Sequence, residues 1–197
     1  METEIVSDVS ERTEAILAAA RRMFLGPGRV SMDDLARDLG MSKKTIYRHF
    51  PDKQGLMTAV LDRQFGVIER LIADAAREAE GRPFGERLRT FLVAACDGLS
   101  DIGAAQLATG RGDAVLRRHV EHRIDAVVYQ PLEELFREGQ RQGVLTAPPE
   151  LLGEITRGAV ERLLNSRLPS QLNRTAADLF RTTVDTVLYG AIREDHP

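Results

Sequence analysis

The tightest constraint on this chain is a pair of helix starts separated by too little sequence for anything but an abrupt turn. Ser31, with Asp34 three residues on, has the form of a helix N-terminus: a hydroxyl cap followed by a carboxylate in the first turn. Met32, Leu35, Ala36 and Leu39 then recur at i, i+3, i+4 and i+7, one face of a short helix. Gly40 stands where the chain needs a left-handed C-cap, and Ser42 caps a further helix two residues later. A connection of about three to four residues makes the two helices cross steeply. In the second of them Ile46 and Phe50 point inward at i and i+4, so Lys43, Lys44, Tyr47 and Arg48 share the outer face.

Elsewhere apolar residues also keep helical spacing, and no stretch alternates with period two, so the fold class is all-α. Gly26-Pro27-Gly28, Gly40, Pro51, Gly81-Arg82-Pro83, Gly110-Arg111-Gly112, Pro148-Pro149 and Pro169 mark helix ends. A first helix is expected after Ser10 as N-cap, with Ile16, Ala20, Met23 and Phe24 on one face. Asp52 caps a longer helix through Leu56, Val60, Phe65, Ile68 and Ile72 towards Ala79, which links two domains. Residues 84–192 offer four or five more amphipathic helices. They include a long one across Ala114 to Gln142 and a pair across Glu150 to Leu168 and Thr175 to Ile192. The expected division is an N-terminal arm with a three-helix domain over 1–53 and a larger helical domain over 54–197.

With 43% apolar and 29% charged residues the chain reads as folded and globular. No apolar run approaches membrane-spanning length. The first ten residues carry Glu2, Glu4 and Asp8 instead of a basic start and apolar core, so a cytoplasmic setting is expected. Cys96 is the only cysteine, which excludes an intrachain disulfide and cysteine-rich zinc motifs. The net charge of −3 argues weakly against nucleic acid until its distribution is considered. Residues 10–53 hold nine Lys or Arg against six Asp or Glu, a local +3, while 1–9 and 54–197 are each −3.

That local charge suits a reading head. A recognition helix needs donors for base edges and phosphates, and a free N-terminus whose amides meet a phosphate oxygen. With Ser42 at its head, the helix presents Lys43, Lys44 and Arg48 as cationic donors, Thr45 as hydroxyl and methyl, Tyr47 as phenol and His49 as ring nitrogen. Lys53 opens the next helix. The run SMDDLARDLGMSKKTIYRHFPDKQGL from Ser31 to Leu56 resembles the signature of the TetR family, with Ala36, Gly40, Tyr47, Phe50, Lys53 and Leu56 at the family's spacing. The quoted run is 26 of the chain's 197 residues. It implies that Ser31, Tyr47 and Lys53 contact phosphates and that Lys43, Lys44, Thr45, Arg48 and His49 lie nearest the bases. Arg29 and Lys44 depart from it, standing where the family often has an aromatic residue and Gly.

The resemblance further implies a homodimer on double-stranded operator DNA, released when a small-molecule effector occupies the C-terminal domain. Two stripes are candidates for the dimer interface: Leu152, Ile155, Ala159 and Leu163, and Ala177, Phe180, Val184, Val187 and Ala191. Candidates for the effector site are Phe91, Cys96, Leu107, Tyr129 and Phe136. The expected function is a repressor acting at a palindromic operator, without cofactor, metal or membrane partner. An activator or a ligand-independent DNA binder is the alternative. More remote is a helical-bundle metal protein or enzyme, prompted by His119 and His122 flanking Glu121. No Glu-x-x-His or His-Glu-x-x-His pair, hydrolase elbow, phosphate loop or dinucleotide fingerprint accompanies them, so no enzyme is expected.

Overall fold

Apolar spacing translates directly into helices. The computed structural model describes the backbone of residues 2–25, 31–109, 113–164 and 168–191. It describes most side chains within 11–23, 31–99, 113–163 and 168–186. Among the described residues there are ten α-helices and no strand. They are α1 (Glu2–Leu25), α2 (Met32–Asp38), α3 (Lys43–His49), α4 (Lys53–Glu78), α5 (Phe84–Thr109), α6 (Ala114–Ile124), α7 (Gln130–Arg141), α8 (Pro149–Leu164), α9 (Leu168–Leu172) and α10 (Ala176–Ala191).

Two boundaries differ from expectation. Helix α1 begins at Glu2, so Ser10 lies inside it and does not cap it. Acidic residues in the opening turns complement the positive end of the helix dipole, and no breaker interrupts the segment before Leu25. Of its expected apolar face, Ile16 and Ala20 are buried, Met23 is half-buried, and the side chain of Phe24 is outside the described residues. The long helix across Ala114 to Gln142 is present as α6 and α7, but Asp125–Tyr129 between them is a π-helical turn. Such a turn takes one residue more than an α-turn and so rotates the faces of α7 relative to those of α6.

The chain forms two compact units, residues 1–64 with 105–121 and residues 65–104 with 122–197. In the first, α1 packs on α2 and α2 on α3. Leu35, Ile46 and Leu56 are fully buried there. Asp113 caps α6, accepting from the Val115 and Leu116 amides at 2.9 and 3.2 Å, and receives the Gln54 side-chain amide from α4 at 3.3 Å.

In the second unit α8 packs on α7 and on α10, with Phe65, Leu88, Leu132, Phe136 and Phe180 at the centre. Arg157 on α8 stacks over the Tyr129 ring, 4.0 Å from its centroid, and donates to Asp125 Oδ1 at 2.9 Å. Burial pushes the Tyr129 phenol up to about 12, while the hydrogen bond from Arg157 draws the Asp125 carboxyl down. Arg87 on α5 grips Glu138 on α7 through both terminal nitrogens, at 2.5 and 2.9 Å. No described helix is long and apolar enough to cross a membrane.

Two substitutions probe this packing. A Cβ at Gly139 on α7 would drive into the ring of buried Phe84, reaching Cε1 and Cε2 at 2.9 Å. Gly139→Ala is therefore expected to cost about 1–3 kcal/mol in urea unfolding, because a buried ring yields only by repacking its neighbours. The Arg87 hydrogen bond lowers the Glu138 carboxyl below its usual 4.5. The stability it contributes is thus fully present above that value and is lost as pH falls through the lower folded value. Glu138→Gln should lower stability by about 0.5–1 kcal/mol at neutral pH, and the difference from the parent should shrink in melts taken at progressively more acid pH.

Candidate nucleic-acid interface

The site begins with two capped helices and the turn that joins them. Ser31 accepts from the Asp34 amide at 3.1 Å, and its own hydroxyl donates to Asp34 Oδ2 at 2.5 Å, so its oxygen is engaged in both directions. At the other end of α2 the Gly40 amide donates to the Arg37 carbonyl at 3.3 Å, and the Met41 amide to the Ala36 carbonyl at 2.9 Å. This is a Schellman ending, and it needs the φ of +60° that Gly40 adopts. Ser42 caps α3 by accepting from the Thr45 amide at 3.1 Å. Ile46 is fully buried and Phe50, just beyond the helix end, nearly so, which fixes the opposite face of α3 outward.

On that outward face Lys43, Lys44, Tyr47 and Arg48 are all exposed, Tyr47 at 45%. Lys43 is ion-paired across the turn with Asp33 of α2. Lys44, Arg48 and Lys53 make no ion pair among the described residues. Thr45 is half-buried, its hydroxyl 2.9 Å from that of Ser42. Lys53 is exposed at the first position of α4, where Asp52 accepts the Gly55 amide at 2.7 Å.

His49, read from sequence as lying near the bases, is half-buried and turned onto α1: its Nδ1 is 2.9 Å from Thr13 Oγ1. Its Nε2 is buried without a hydrogen-bond partner. Neither the Lys43–Asp33 pair nor the His49–Thr13 contact is visible in the sequence. The first spans a turn and the second two helices, and helix periodicity reports neither distance.

The remaining candidate residues fall into different settings. Phe91, Cys96, Tyr129 and Phe136 are buried, and the side chain of Leu107 lies outside the described residues. Burial pushes the Cys96 thiol up to about 12, the behaviour of an inert packed cysteine. Leu152, Phe180 and Val184, expected at a dimer interface, are buried within the chain's own core. Ile155 is 45% exposed, Ala159 and Leu163 are half-buried, and the side chains of Ala177, Val187 and Ala191 lie outside the described residues. Leu151, not singled out from the sequence, is 52% exposed. His119 Nε2 is 2.9 Å from Asp62 Oδ1, and His122 is exposed. No group of three His, Cys, Asp or Glu side chains able to hold a metal occurs among the described residues.

A capped helix, a glycine-closed turn and a second capped helix with an apolar back and a cationic front define a helix-turn-helix protein. Residues 16–60 match the family described as "Bacterial regulatory proteins, tetR family". An HTH-type transcriptional regulator of Mycobacterium tuberculosis is 37% identical over 75 residues, covering 36% of this chain and 30% of that protein. The HTH-type transcriptional regulator EthR of Mycolicibacterium smegmatis is 37% identical over 54 residues, covering 26% and 25%. The chain thus spans well under half the length of these curated relatives. A transcriptional regulator from Saccharomonospora viridis, solved in complex with choline, shares the fold with a TM-score of 0.74 at 22% identity, over 94% of this chain and all of that one. The likeness to the tetR family thus lies in residues 16–60, which hold the two capped helices and the turn between them, and the solved structure extends the likeness in fold over most of the chain.

The capping geometry carries its own test. Ser42→Ala removes the acceptor for the Thr45 amide and should cost about 1 kcal/mol in denaturant unfolding, with Ser42→Asp restoring most of it.

Proposed function

We propose that the chain binds a palindromic operator as a homodimer and represses transcription until a small molecule occupies its C-terminal region. Residues 1–53 act as the reading domain and residues 54–197 as the effector and dimerisation domain, in a cytoplasmic setting. One observation carries the reading: α3 is pinned from behind by Ile46 and Phe50 and presents Lys44, Tyr47 and Arg48 to solvent with both cations unpaired among the described residues. Lys44 and Arg48 are assigned to base edges. Lys43 joins them once it leaves Asp33, and Thr45 contributes its methyl and hydroxyl beside them. Tyr47 and Lys53 are assigned to phosphates, as are the amides at the Ser42 end. Ser31 positions α2 through Asp34, and its oxygen is the least free of the proposed phosphate contacts. His49 supports α3 from α1 through Thr13.

A single short helix reads only a few base pairs, which favours two copies at a fixed separation. Leu151 and Ile155, exposed on α8, are the side chains best placed to meet a second copy, whereas Leu152, Phe180 and Val184 stiffen the helices behind them. The effector reading draws support from the choline complex of the Saccharomonospora viridis protein. Phe91, Cys96, Tyr129 and Phe136 are the residues proposed to be displaced or exposed by such a ligand, since induction needs unequal affinity for two conformations.

Binding of the full chain to operator and random duplexes, measured by fluorescence anisotropy across a salt series, tests the assignment. Arg48→Ala and Lys44→Ala should each cost about 1–3 kcal/mol on the operator and relax its sequence preference. Lys53→Ala should weaken all duplexes alike and reduce the salt slope by about one. Asp33→Asn, which releases Lys43, should tighten binding and steepen that slope. Equal losses on every sequence for Arg48, Lys44 and Lys53 would overturn the division between base and phosphate contacts. A reporter assay with and without the effector region occupied decides the direction of regulation.

A further inference from the structure

A cleft of about 360 Å³ opens between α1 and α4, wholly within the first unit. Its volume lies at the lower end of the roughly 300–1,000 Å³ range of small-molecule pockets. None of the proposed effector residues lines it. Leu17 and Val60 form an apolar floor, both nearly fully buried, and Arg21, Arg22 and Arg63 bring three guanidinium groups to the rim. Helical spacing explains the arrangement: Leu17 and Arg21 are four apart on α1, as are Val60 and Gln64 on α4.

The rim arginines are not equivalent. Arg22 donates to Asp38 at 3.1 Å and Arg63 is ion-paired with Glu14, whereas Arg21 is exposed and unpaired among the described residues. Gln64 adds the second, independent observation. It lines the same cleft with only 4% of its surface exposed, yet its amide has no hydrogen-bond partner among the described residues. The small part of Gln64 that stays accessible lies at the cleft, so its amide is open to a partner that enters there.

We propose that this cleft binds a small amphipathic carboxylate, an alkyl or aryl acid of about eight carbons. The apolar body covers Leu17 and Val60, the carboxylate takes the Arg21 fork bidentately, and the Gln64 Nε2 amide donates to one of its oxygens. One unpaired guanidinium and one neutral amide match a monoanion. An ion with no apolar part, such as inorganic phosphate, makes no use of the Leu17 and Val60 floor. Occupation ties α1 to α4 and so stabilises the unit that carries α3. This inference stands whether or not α3 reads DNA.

The full-length protein is titrated calorimetrically with octanoate, octanol and inorganic phosphate. A diazirine-bearing octanoate analogue is photo-crosslinked to it and the labelled peptides are mapped. The expected result is saturable octanoate binding, at least about tenfold weaker binding of octanol and phosphate, and octanoate-competed label on residues 17–22 or 60–64. Arg21→Ala, at an exposed position, should reduce octanoate affinity about tenfold and remove that label while the circular dichroism stays unchanged. Gln64→Met should weaken octanoate while sparing octanol, a split that loss of packing alone does not produce. Label confined to residues 65–104 or 122–191, equal binding of octanol or phosphate, or full affinity in Arg21→Ala would each overturn the proposal.

Discussion

The turn between α2 and α3 is the point on which the rest of the first unit depends. Gly40 adopts a φ of +60°, which lets the Met41 amide reach back to the Ala36 carbonyl and ends α2 within a single residue. Ser42 then starts α3 at once by taking the Thr45 amide. With so short a connection the crossing of the helices is set by backbone hydrogen bonds, and burial of Ile46 and Phe50 settles the remaining freedom, rotation of α3 about its own axis. The cationic face is outward because the apolar face has no other place to go.

Charge in this unit is managed locally. The chain is acidic as a whole, yet its exposed arginines and lysines around α2 and α3 are partly matched: Arg22 with Asp38, Arg37 with Asp34, Lys43 with Asp33. Exposed pairs of this kind contribute little stability, so their more consequential effect is on how much free positive charge the surface presents. What is left unpaired among the described residues, Lys44, Arg48 and Lys53, sits on or beside the outer face of α3. A chain with a low isoelectric point can therefore still offer a concentrated cationic edge to a polyanion.

The second unit is organised by longer-range contacts. Arg157 reaches from α8 to the π-helical turn and holds Asp125 and the Tyr129 face together, and Arg87 joins α5 to α7 through Glu138. The closeness of α7 to Phe84 rests on the absence of a side chain at Gly139. These features explain why the stripe Leu152, Ile155, Ala159 and Leu163 divides when the helix folds. Leu152 goes into the core and Ile155 to the surface, because the face of α8 that packs on α7 and α10 is not the one the four residues were expected to share.

From sequence alone the all-α class, the two caps at Ser31 and Ser42, the glycine-closed turn and the inward Ile46 and Phe50 were legible. Each depends on interactions within a few residues, where spacing along the chain is spacing in space. The true start of α1, the π-helical turn inside an apparently continuous helix, the Lys43–Asp33 pair and the turning of His49 towards Thr13 were decided only by tertiary structure. So was the meeting of Arg21 and Gln64 at one cleft from two helices far apart in sequence. A periodic pattern records which face of a helix is apolar, but not which other helix that face meets, and it is the meeting that determines a side chain's partners.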